Sequence, residues 1–341
     1  MKVDVLLGTE PEGVVERARE LAALGVDGVF TFENAHDVFF PLVRVAGNVE
    51  LDLMTNVAIA FPRSPVHLAH AAYDLQLLSG GRFRLGLGSQ VRSHIERRYG
   101  AVWSQPTARL RDMVLAVKAV LAAWEGDAPL DYRGAFTSHT YMPPVFNPGP
   151  NRYGPPPVLV GALGPRMTAV AAEVADGILV MPFNSARHFA ERTVPAIADG
   201  LAVAGRSRPD IEVVGEVIVA MGADDAELAA ARSGVRGLLA FYGSTPAYRP
   251  VLDVEGWGEI QPELQGLARR GEWGRMSELV DDDMVDTLAV AGTPRQCAEQ
   301  IAMRFGGQVD RVCCYFPGYP VADGHIAELT RALRAGAGAA A

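Results

Sequence analysis

Apolar positions along this chain alternate between short runs typical of buried strands and longer stretches in which they recur at helical spacing. The short runs predict eight strands, at Val3–Leu7, Gly28–Phe32, Leu51–Ala60, Phe83–Leu87, Val158–Ala162, Gly177–Pro182, Glu212–Met221 and Arg311–Phe316. The longer stretches predict helices, at Gly13–Leu24, Phe39–Val49, Val66–Leu78, Thr107–Trp124, Pro165–Ala175, Ala186–Ala204, Ala226–Phe241, Pro294–Phe305 and Ala322–Arg334. Because β-α repeats in unbroken succession are typical of a (β/α)8 barrel, we predict an α/β fold of the TIM-barrel type. We expect one domain over residues 1–335 and a flexible tail at 336–341.

Two segments interrupt this rhythm. Asp127–Pro157 is rich in Pro, Gly, Asn and aromatic residues and predicts a long ordered loop or hairpin before the fifth strand. Gly243–Gly292 predicts short helices between the seventh and eighth strands. Long loops in a compact barrel are usually functional, and the loops that follow the strands form its active-site face. We therefore look for functional residues just after each strand.

The segment Leu51–Gly88 predicts a strand, an irregular corner, a helix and a second strand. Pro62 and Pro65 end the first strand because proline lacks an N–H donor. Gly88 and Ser89 follow the second strand, where the backbone can lie close to a flat ligand and the hydroxyl can reach it. A glycine turn capped by a serine has the same sequence, so both interpretations stay open.

Val158–Met167 predicts a strand, a glycine turn and a helix that begins at Pro165. The free N–H groups of such a turn and the helix dipole form an anion site, to which Arg166 adds charge. A plain helix cap is the alternative.

Polar residues also follow the second strand, where Glu33, Asn34, His36 and Asp37 lie close together in sequence. His36 beside Asp37 has the composition of an acid–base pair, and loop solvation with helix capping by Asp37 is the alternative. Glu33 is nearest to the strand end and is the better candidate for the site.

Composition and short motifs exclude several classes of protein. The formal net charge of −9 and an isoelectric point near 5.3 argue against a nucleic-acid-binding protein. The N-terminus lacks the pattern of a signal peptide, and no window approaches the ~18 apolar residues of a membrane span, so we expect a cytoplasmic protein. The three cysteines form no CxxC pair and the seven histidines show no metal-ligand spacing, so we expect buried thiols and no metal. Hydrolase, NTPase and dinucleotide-binding motifs are also missing.

Further short motifs occur in order along nearly the whole chain, at Thr55–Pro65, Leu78–Arg82, Phe83–Ser89, Val160–Met167, Ala175–Gly177 and Ala291–Pro294. In these motifs the chain resembles the bacterial luciferase-like superfamily, and in particular its coenzyme F420-dependent oxidoreductases. The resemblance implies a TIM barrel that holds a flavin-type ring at the carboxyl ends of the strands. It also implies a non-proline cis peptide behind the ring, at the position matched by Asn56–Val57.

The resemblance also assigns the cofactor-binding positions, which lie at the bulge of the third strand, the end of the fourth strand and the turn after the fifth strand. The matching residues are Asn56, Val57, Ala58, Gly88, Ser89, Gly161, Ala162, Leu163, Gly164, Pro165 and Arg166. The implied cofactor is coenzyme F420, with FMN used by other relatives.

Two departures from the family pattern narrow the chemistry. Sugar-phosphate dehydrogenases of the superfamily carry an Asp-His pair after the second strand and a Glu after the fourth-strand glycines, where this chain has Glu33, Asn34 and Val91. Luciferases carry a catalytic His at the position of Asn34. These replacements disfavour both specific activities and leave hydride transfer to or from another organic substrate.

We therefore expect an F420-dependent oxidoreductase that transfers a hydride between the deazaflavin and a small, fairly apolar substrate. Residues expected in the substrate pocket are Asn34, Phe61, Tyr242 and Tyr248, although the two tyrosines equally suit packing under a long loop. Glu33 and His36 are the candidate proton donors. The alternatives are an FMN-dependent monooxygenase, which needs oxygen and a reductase partner, and a catalytically idle cofactor-binding barrel. The family expectation for assembly is a homodimer.

Overall fold

The structure, a computed structural model, describes residues 1–8 and 10–339. Its strands are β1 Lys2–Leu6, β2 Gly28–Thr31, β3 Asp52–Thr55, β4 Ala58–Ile59, β5 Phe83–Gly88, β6 Tyr132–Arg133, β7 Ser138–His139, β8 Val158–Ala162, β9 Gly177–Val180, β10 Glu212–Met221, β11 Val290–Gly292 and β12 Arg311–Tyr315. Its helices are α1 Val14–Ala23, α2 Phe40–Val45, α3 Pro65–Leu78, α4 Arg92–Arg97, α5 Pro106–Glu125, α6 Pro165–Val174, α7 Ala186–His188, α8 Val194–Val203, α9 Asp225–Gly243, α10 Arg249–Glu255, α11 Ile260–Arg270, α12 Trp273–Glu278, α13 Asp282–Leu288, α14 Pro294–Phe305 and α15 Asp323–Ala339.

Within the described residues, parallel strands close into an eight-stranded barrel in the order β1, β2, β3, β5, β8, β9, β10 and β12. Pairing of β12 with both β10 and β1 completes the ring. Helices alternate with the barrel strands along the chain, so the predicted (β/α)8 barrel is confirmed. Two short strands lie beside the ring, because β4 continues from β3 and pairs with β5, whereas β11 pairs with β10.

The third barrel strand differs from its prediction. Expected as one strand over Leu51–Ala60, it is divided into β3 and β4 at Asn56 and Val57. At this point the hydroxyl of Thr55 takes the place of backbone hydrogen bonds between β3 and β5. It donates to the carbonyl oxygen of Gly86 over 2.8 Å and accepts from the Gly86 N–H over 2.9 Å. The chain therefore bends here while these backbone groups stay paired.

The two insertions have the predicted character, with a β6–β7 hairpin in the first and α10 to α13 in the second. The predicted helix Ala186–Ala204 is instead divided into α7, a π-helical turn at Phe189–Thr193 and α8, because Pro195 has no N–H to continue an α-helical ladder. At the end of the chain, α15 includes residues 336–339 of the expected tail, and residues 340–341 lie outside the described part.

Apolar side chains fill the middle of the barrel. This inner cluster comprises Phe30, Met54, Leu159, Leu179, Val214 and Cys313. It separates the two ends of the barrel, so each end has its own chemistry.

Buried and partly buried charges fill the end at which the strands begin. We call this group the ionic layer, and it comprises Asp4, Asp52, Arg84, Glu212 and Arg311. Arg311 is 1% exposed and donates to Asp4, to Asp52 over 2.5 Å and to Glu212 over 3.3 Å. Because side chains fill this end, a ligand can bind only at the opposite end of the barrel, where the strands have their carboxyl ends.

Candidate functional site

The corner between β3 and β4 forms one wall at the open end of the barrel. The Asn56–Val57 peptide is cis, as the resemblance predicted. The N–H of Asn56 donates to the carbonyl oxygen of Thr31 over 2.6 Å, which ties the corner to β2. Nδ2 of Asn56 is buried and has no hydrogen-bond partner of ordinary geometry in the described residues. A buried donor of this kind marks a place where a bound group can supply an acceptor.

The side chain of Val57 covers the glycines of β5 and β8. A Cβ atom added to Gly88 would lie 2.4 Å from Cγ2 of Val57, and one added to Gly161 would lie 3.0 Å from Cγ1. The glycines therefore make room for Val57, whereas the sequence suggested that Gly88 lies directly against a ligand. Val57 is itself partly exposed, and the next residue, Ala58, is fully buried in the core. The valine side chain is thus the surface that this corner offers to a ligand.

Glu33 is fixed by Arg63. Its carboxylate accepts from Nη1 and Nη2 of Arg63 over 2.8 Å and 2.9 Å, from the N–H of Ile59 over 3.0 Å and from the hydroxyl of Tyr99 over 3.3 Å. A bidentate guanidinium holds a carboxylate in one orientation. Glu33 therefore suits a positioning role at the corner better than the proton-donor role suggested by the sequence.

The other polar residues after β2 lie on an exposed loop. Asp37 accepts from the N–H groups of Phe39 over 2.8 Å and Phe40 over 3.3 Å. These bonds correspond to helix capping by Asp37, the alternative to a role in acid–base chemistry. His36 and Asn34 are exposed, and the Asn34 carbonyl accepts from Arg98 over 2.6 Å. Among the hydrogen bonds of the described residues, none joins His36 to Asp37, so the acid–base pair suggested by the sequence is not formed.

The turn after β8 has the geometry of an anion site. Helix α6 has ten residues, and no described side chain caps its N-terminus. A Cβ at Gly164 would meet no atom within 4 Å, so open space adjoins the turn. Ala162 and Leu163 are buried below it, and the exposed Arg166 forms no ion pair with a described residue. The free N–H groups and the positive helix end together favour an anionic group.

Two further predicted residues are engaged locally. The hydroxyl of Ser89 donates to the carbonyl of Gln90 over 3.2 Å. This local bond fits a glycine turn capped by a serine better than a hydroxyl directed at a ligand. Phe61 is only 9% exposed, and the centroid of its ring lies 5.6 Å from that of Trp103. The structure therefore places Phe61 mainly in packing under the segment that follows α4.

Tyr242 and Tyr248 meet Phe183, which follows β9, and we call these three residues the tyrosine cluster. Ring centroids are 5.9 Å apart for Phe183 and Tyr242, 6.2 Å for Phe183 and Tyr248, and 5.9 Å for the two tyrosines. Burial raises the pKa of Tyr248 to about 12 and that of Tyr242 well above its usual value. The cluster therefore supplies two neutral phenols.

Sequence reasoning missed one residue at this end of the barrel, Glu216. It lies on β10 two residues after Val214, so its side chain shares the inner face of the barrel. Glu216 is 9% exposed, and burial raises the pKa of its carboxyl to about 8, an effect that a hydrogen-bonding interaction with Asn56 opposes in part. The sequence does contain a signal that could have identified Glu216, because it is the single carboxylate inside the apolar run Val213–Met221.

Metal binding, membrane crossing and the state of the cysteines were also expected from the sequence. No cluster of His, Cys, Asp or Glu side chains in the described ranges has the grouping to hold a metal ion. No helix of residues 1–8 and 10–339 has the length and apolar character needed to cross a membrane. The three cysteines are buried and free, as predicted.

These features define a βα-barrel protein with a candidate ligand site, which we call the cleft, at the carboxyl ends of its strands. Residues 2–311 match the model of the family described as luciferase-like monooxygenase, and the chain belongs to that family.

Two curated relatives and one solved structure are similar to this chain over most of its length. A Mycobacterium tuberculosis protein described as uncharacterized is 44% identical over 317 residues, which is 93% of each chain. A second protein of that organism, described as a putative coenzyme F420-dependent oxidoreductase, is 29% identical over 89% of this chain and 91% of its own. The solved structure of the coenzyme F420-dependent tetrahydromethanopterin reductase from Methanopyrus kandleri superposes with a TM-score of 0.80 at 21% identity, over 98% of each chain.

Proposed function

We propose that this protein is a coenzyme F420-dependent oxidoreductase that transfers a hydride between the deazaflavin and a small organic substrate. The observation that carries the proposal is the position of the open α6 N-terminus at the same end of the barrel as the Val57 wall. One ligand with a flat ring and an anionic side chain can contact both. The relative described as a putative F420-dependent oxidoreductase supports the choice of cofactor.

The residues present fit such a cofactor. Nδ2 of Asn56 is a buried donor that makes no hydrogen bond of ordinary geometry in the described residues, and the N–H groups at the start of α6 lack a side-chain cap there. Arg166 adds a positive charge that no described carboxylate neutralises. An amide donor and a positive site therefore suit a ligand that carries carbonyl oxygens and phosphate.

Each part of the cleft has a separate task in this proposal. Val57 supports one face of the ring, and the Glu33–Arg63 pair holds the corner that carries Val57. The turn Gly161–Arg166 binds the anionic part, and the tyrosine cluster keeps water from the reacting atoms. When bound, the deazaflavin supplies or accepts the hydride, and the barrel binds and orients the reactants.

Binding of the two candidate cofactors tests the proposal. We expect the purified protein to bind F420 at micromolar concentration, measured by quenching of F420 fluorescence, and to bind FMN more weakly. Arg166→Ala should weaken F420 binding about tenfold, since it removes a charged partner of the anionic group. Arg331→Ala is the matched control, because Arg331 is exposed on α15 and lies far along the chain from the α6 turn.

Other outcomes would contradict the proposal. A protein that fails to bind F420 at micromolar concentration is not an F420-dependent enzyme. A yellow protein that retains FMN through purification would instead support the FMN-dependent monooxygenase alternative. The family to which the chain belongs is described as luciferase-like monooxygenase, so this alternative agrees with the family description.

A further inference from the structure

Glu216 lies on the inner face of the barrel, directly after the inner cluster along β10. Val214, one inward position before it on β10, is fully buried in the inner cluster, and Cys313 is paired with Glu216 in register. Glu216 itself keeps 9% of its surface exposed. The carboxyl group therefore borders the apolar filling of the barrel on the side of the carboxyl ends of the strands.

Every group that interacts with Glu216 in the described part of the chain is neutral. The Asn56 amide faces it from the corner of β3, and the thiol of Cys313 faces it from β12. The phenols of Tyr242 and Tyr315 approach from the end of α9 and the end of β12. No described Lys, Arg or His forms an ion pair with Glu216, in contrast to Glu33.

A carboxyl group in such surroundings is held in its protonated form. Burial penalises the charge, and a single amide donor offsets only part of that penalty. A carboxylic acid kept neutral near physiological pH can donate a proton or a hydrogen bond to a reacting group. The carboxyl is adjacent to Asn56, whose buried Nδ2 group makes no hydrogen bond of ordinary geometry with the described residues and can still receive an acceptor from a ligand.

We propose that Glu216 is the general acid–base group of this cleft and that its substrate is a neutral carbonyl compound or the corresponding alcohol. This assignment rests on the proposed function, which supplies the hydride. A carboxylate or phosphate on the reacting part of the substrate would lie beside Glu216 without a described cation to neutralise it, so the cleft favours an uncharged substrate.

In a reduction, Glu216 would donate its proton to the carbonyl oxygen of the substrate as the C=O π bond breaks, while the bound reduced deazaflavin would supply the hydride and its electron pair to the carbonyl carbon. The substrate is reduced to an alcohol and the cofactor is oxidised. Glu216 is left as a carboxylate and regains a proton from water, which balances the proton that the cofactor releases on oxidation.

The first experiment needs neither cofactor nor substrate. Infrared difference spectra of the ligand-free protein should show the C=O band of a protonated carboxyl that disappears with a midpoint near pH 8. Glu216→Gln should lack this band. Asp112→Asn should keep it, because Asp112 is a second buried carboxylate that is hydrogen-bonded to Tyr132 and Thr137 away from the cleft. Spectra in which the Glu216→Gln change removes no protonated carboxyl at neutral pH would overturn the proposal.

The second experiment uses reduced F420 with cyclohexanone and its charged counterpart, 4-oxocyclohexanecarboxylate. We expect turnover of cyclohexanone in preference to the carboxylate, and a loss of roughly a hundredfold or more in kcat for Glu216→Gln with little change in F420 affinity. Asp112→Asn should turn over at the rate of the unaltered protein. Preference for the charged ketone, turnover of neither ketone, or full activity of Glu216→Gln would each contradict the assignment. Failure of F420 to bind would reject the proposed function alone, since the infrared result still decides the state of Glu216.

Discussion

Glu33 and Glu216 are both glutamates, but Glu33 is paired with a cation and Glu216 is surrounded by neutral groups. Arg63 holds both oxygens of Glu33, whereas Glu216 faces amide, thiol and phenol groups. The sequence favours Glu33 for chemistry because that residue directly follows a strand. Local sequence does not reveal which distant side chain will neutralise a carboxylate, so the two roles could be separated only in the folded chain.

Replacing Glu33 should reduce stability. Glu33→Gln leaves the largely buried Arg63 guanidinium without its anionic partner, so we expect the free energy of unfolding to fall by about 2 kcal/mol. Urea unfolding monitored by circular dichroism measures the change. Glu20→Gln removes an exposed ion pair with Arg17 and should cost less than about 0.5 kcal/mol. Equal stability of Glu33→Gln and the unaltered protein would argue that the pair does not hold the corner.

The contact between Gly88 and Val57 can be tested with a pair of substitutions. Gly88→Ala places a Cβ atom 2.4 Å from Cγ2 of Val57. Overpacking of this kind costs about 2 kcal/mol, whereas the double variant Gly88→Ala with Val57→Ala should recover part of that loss. Gly274→Ala is the control, because a Cβ there meets no atom within 4 Å. Additive effects in the double variant would show that the two side chains do not share space.

At the scale of elements, the β6–β7 hairpin of the first insertion is tied to α5 by a buried side chain. Asp112 of α5 accepts from the hydroxyls of Tyr132 over 2.9 Å and Thr137 over 2.9 Å, one on each side of the β6–β7 turn. In the same hairpin, Phe136 lies under the guanidinium of Arg109, 4.7 Å from the ring centroid. The hairpin is therefore held onto α5 chiefly by polar contacts.

Removing this anchor should loosen the hairpin selectively. Asp112→Ala eliminates both acceptors, so we expect faster amide hydrogen exchange over residues 130–140 while the barrel strands keep their protection. Hydrogen exchange followed by mass spectrometry measures the difference. Uniform acceleration across the barrel strands would show instead that Asp112 supports the whole fold.

The elements themselves were largely predictable, and their interruptions were not. Apolar runs and helical spacing located the barrel strands, because each strand buries a short continuous segment. The break between β3 and β4 depends on the Thr55 hydroxyl meeting Gly86, which lies 31 positions away. The resemblance supplied the cis peptide at Asn56–Val57, and hydrophobic periodicity carries no information about it.

For the whole molecule, Glu216 links stability to pH. The unfolded carboxyl ionises near its usual pKa of 4.5, whereas burial keeps the folded carboxyl protonated up to about pH 8. Between these values the unfolded state binds fewer protons than the folded state, so the free energy of unfolding falls as pH rises, by up to about 5 kcal/mol.

The variant Glu216→Gln should flatten this dependence. We expect the free energy of unfolding of the ligand-free protein to decline from pH 5 to pH 8 more steeply than that of Glu216→Gln. Urea unfolding at a series of pH values gives both curves. Parallel curves for the two proteins would mean that the carboxyl ionises in the folded protein at an ordinary pH.

The ionic layer has a consequence for the order of events during turnover. Because Arg311 and its partners fill the end at which the strands begin, the barrel has a single mouth. Two ligands that meet inside must then use one passage, so the ligand that lies deeper arrives first and leaves last. In the proposed function, with the ring against Val57, the cofactor and the organic substrate would share this passage and would have to bind and leave in a fixed order.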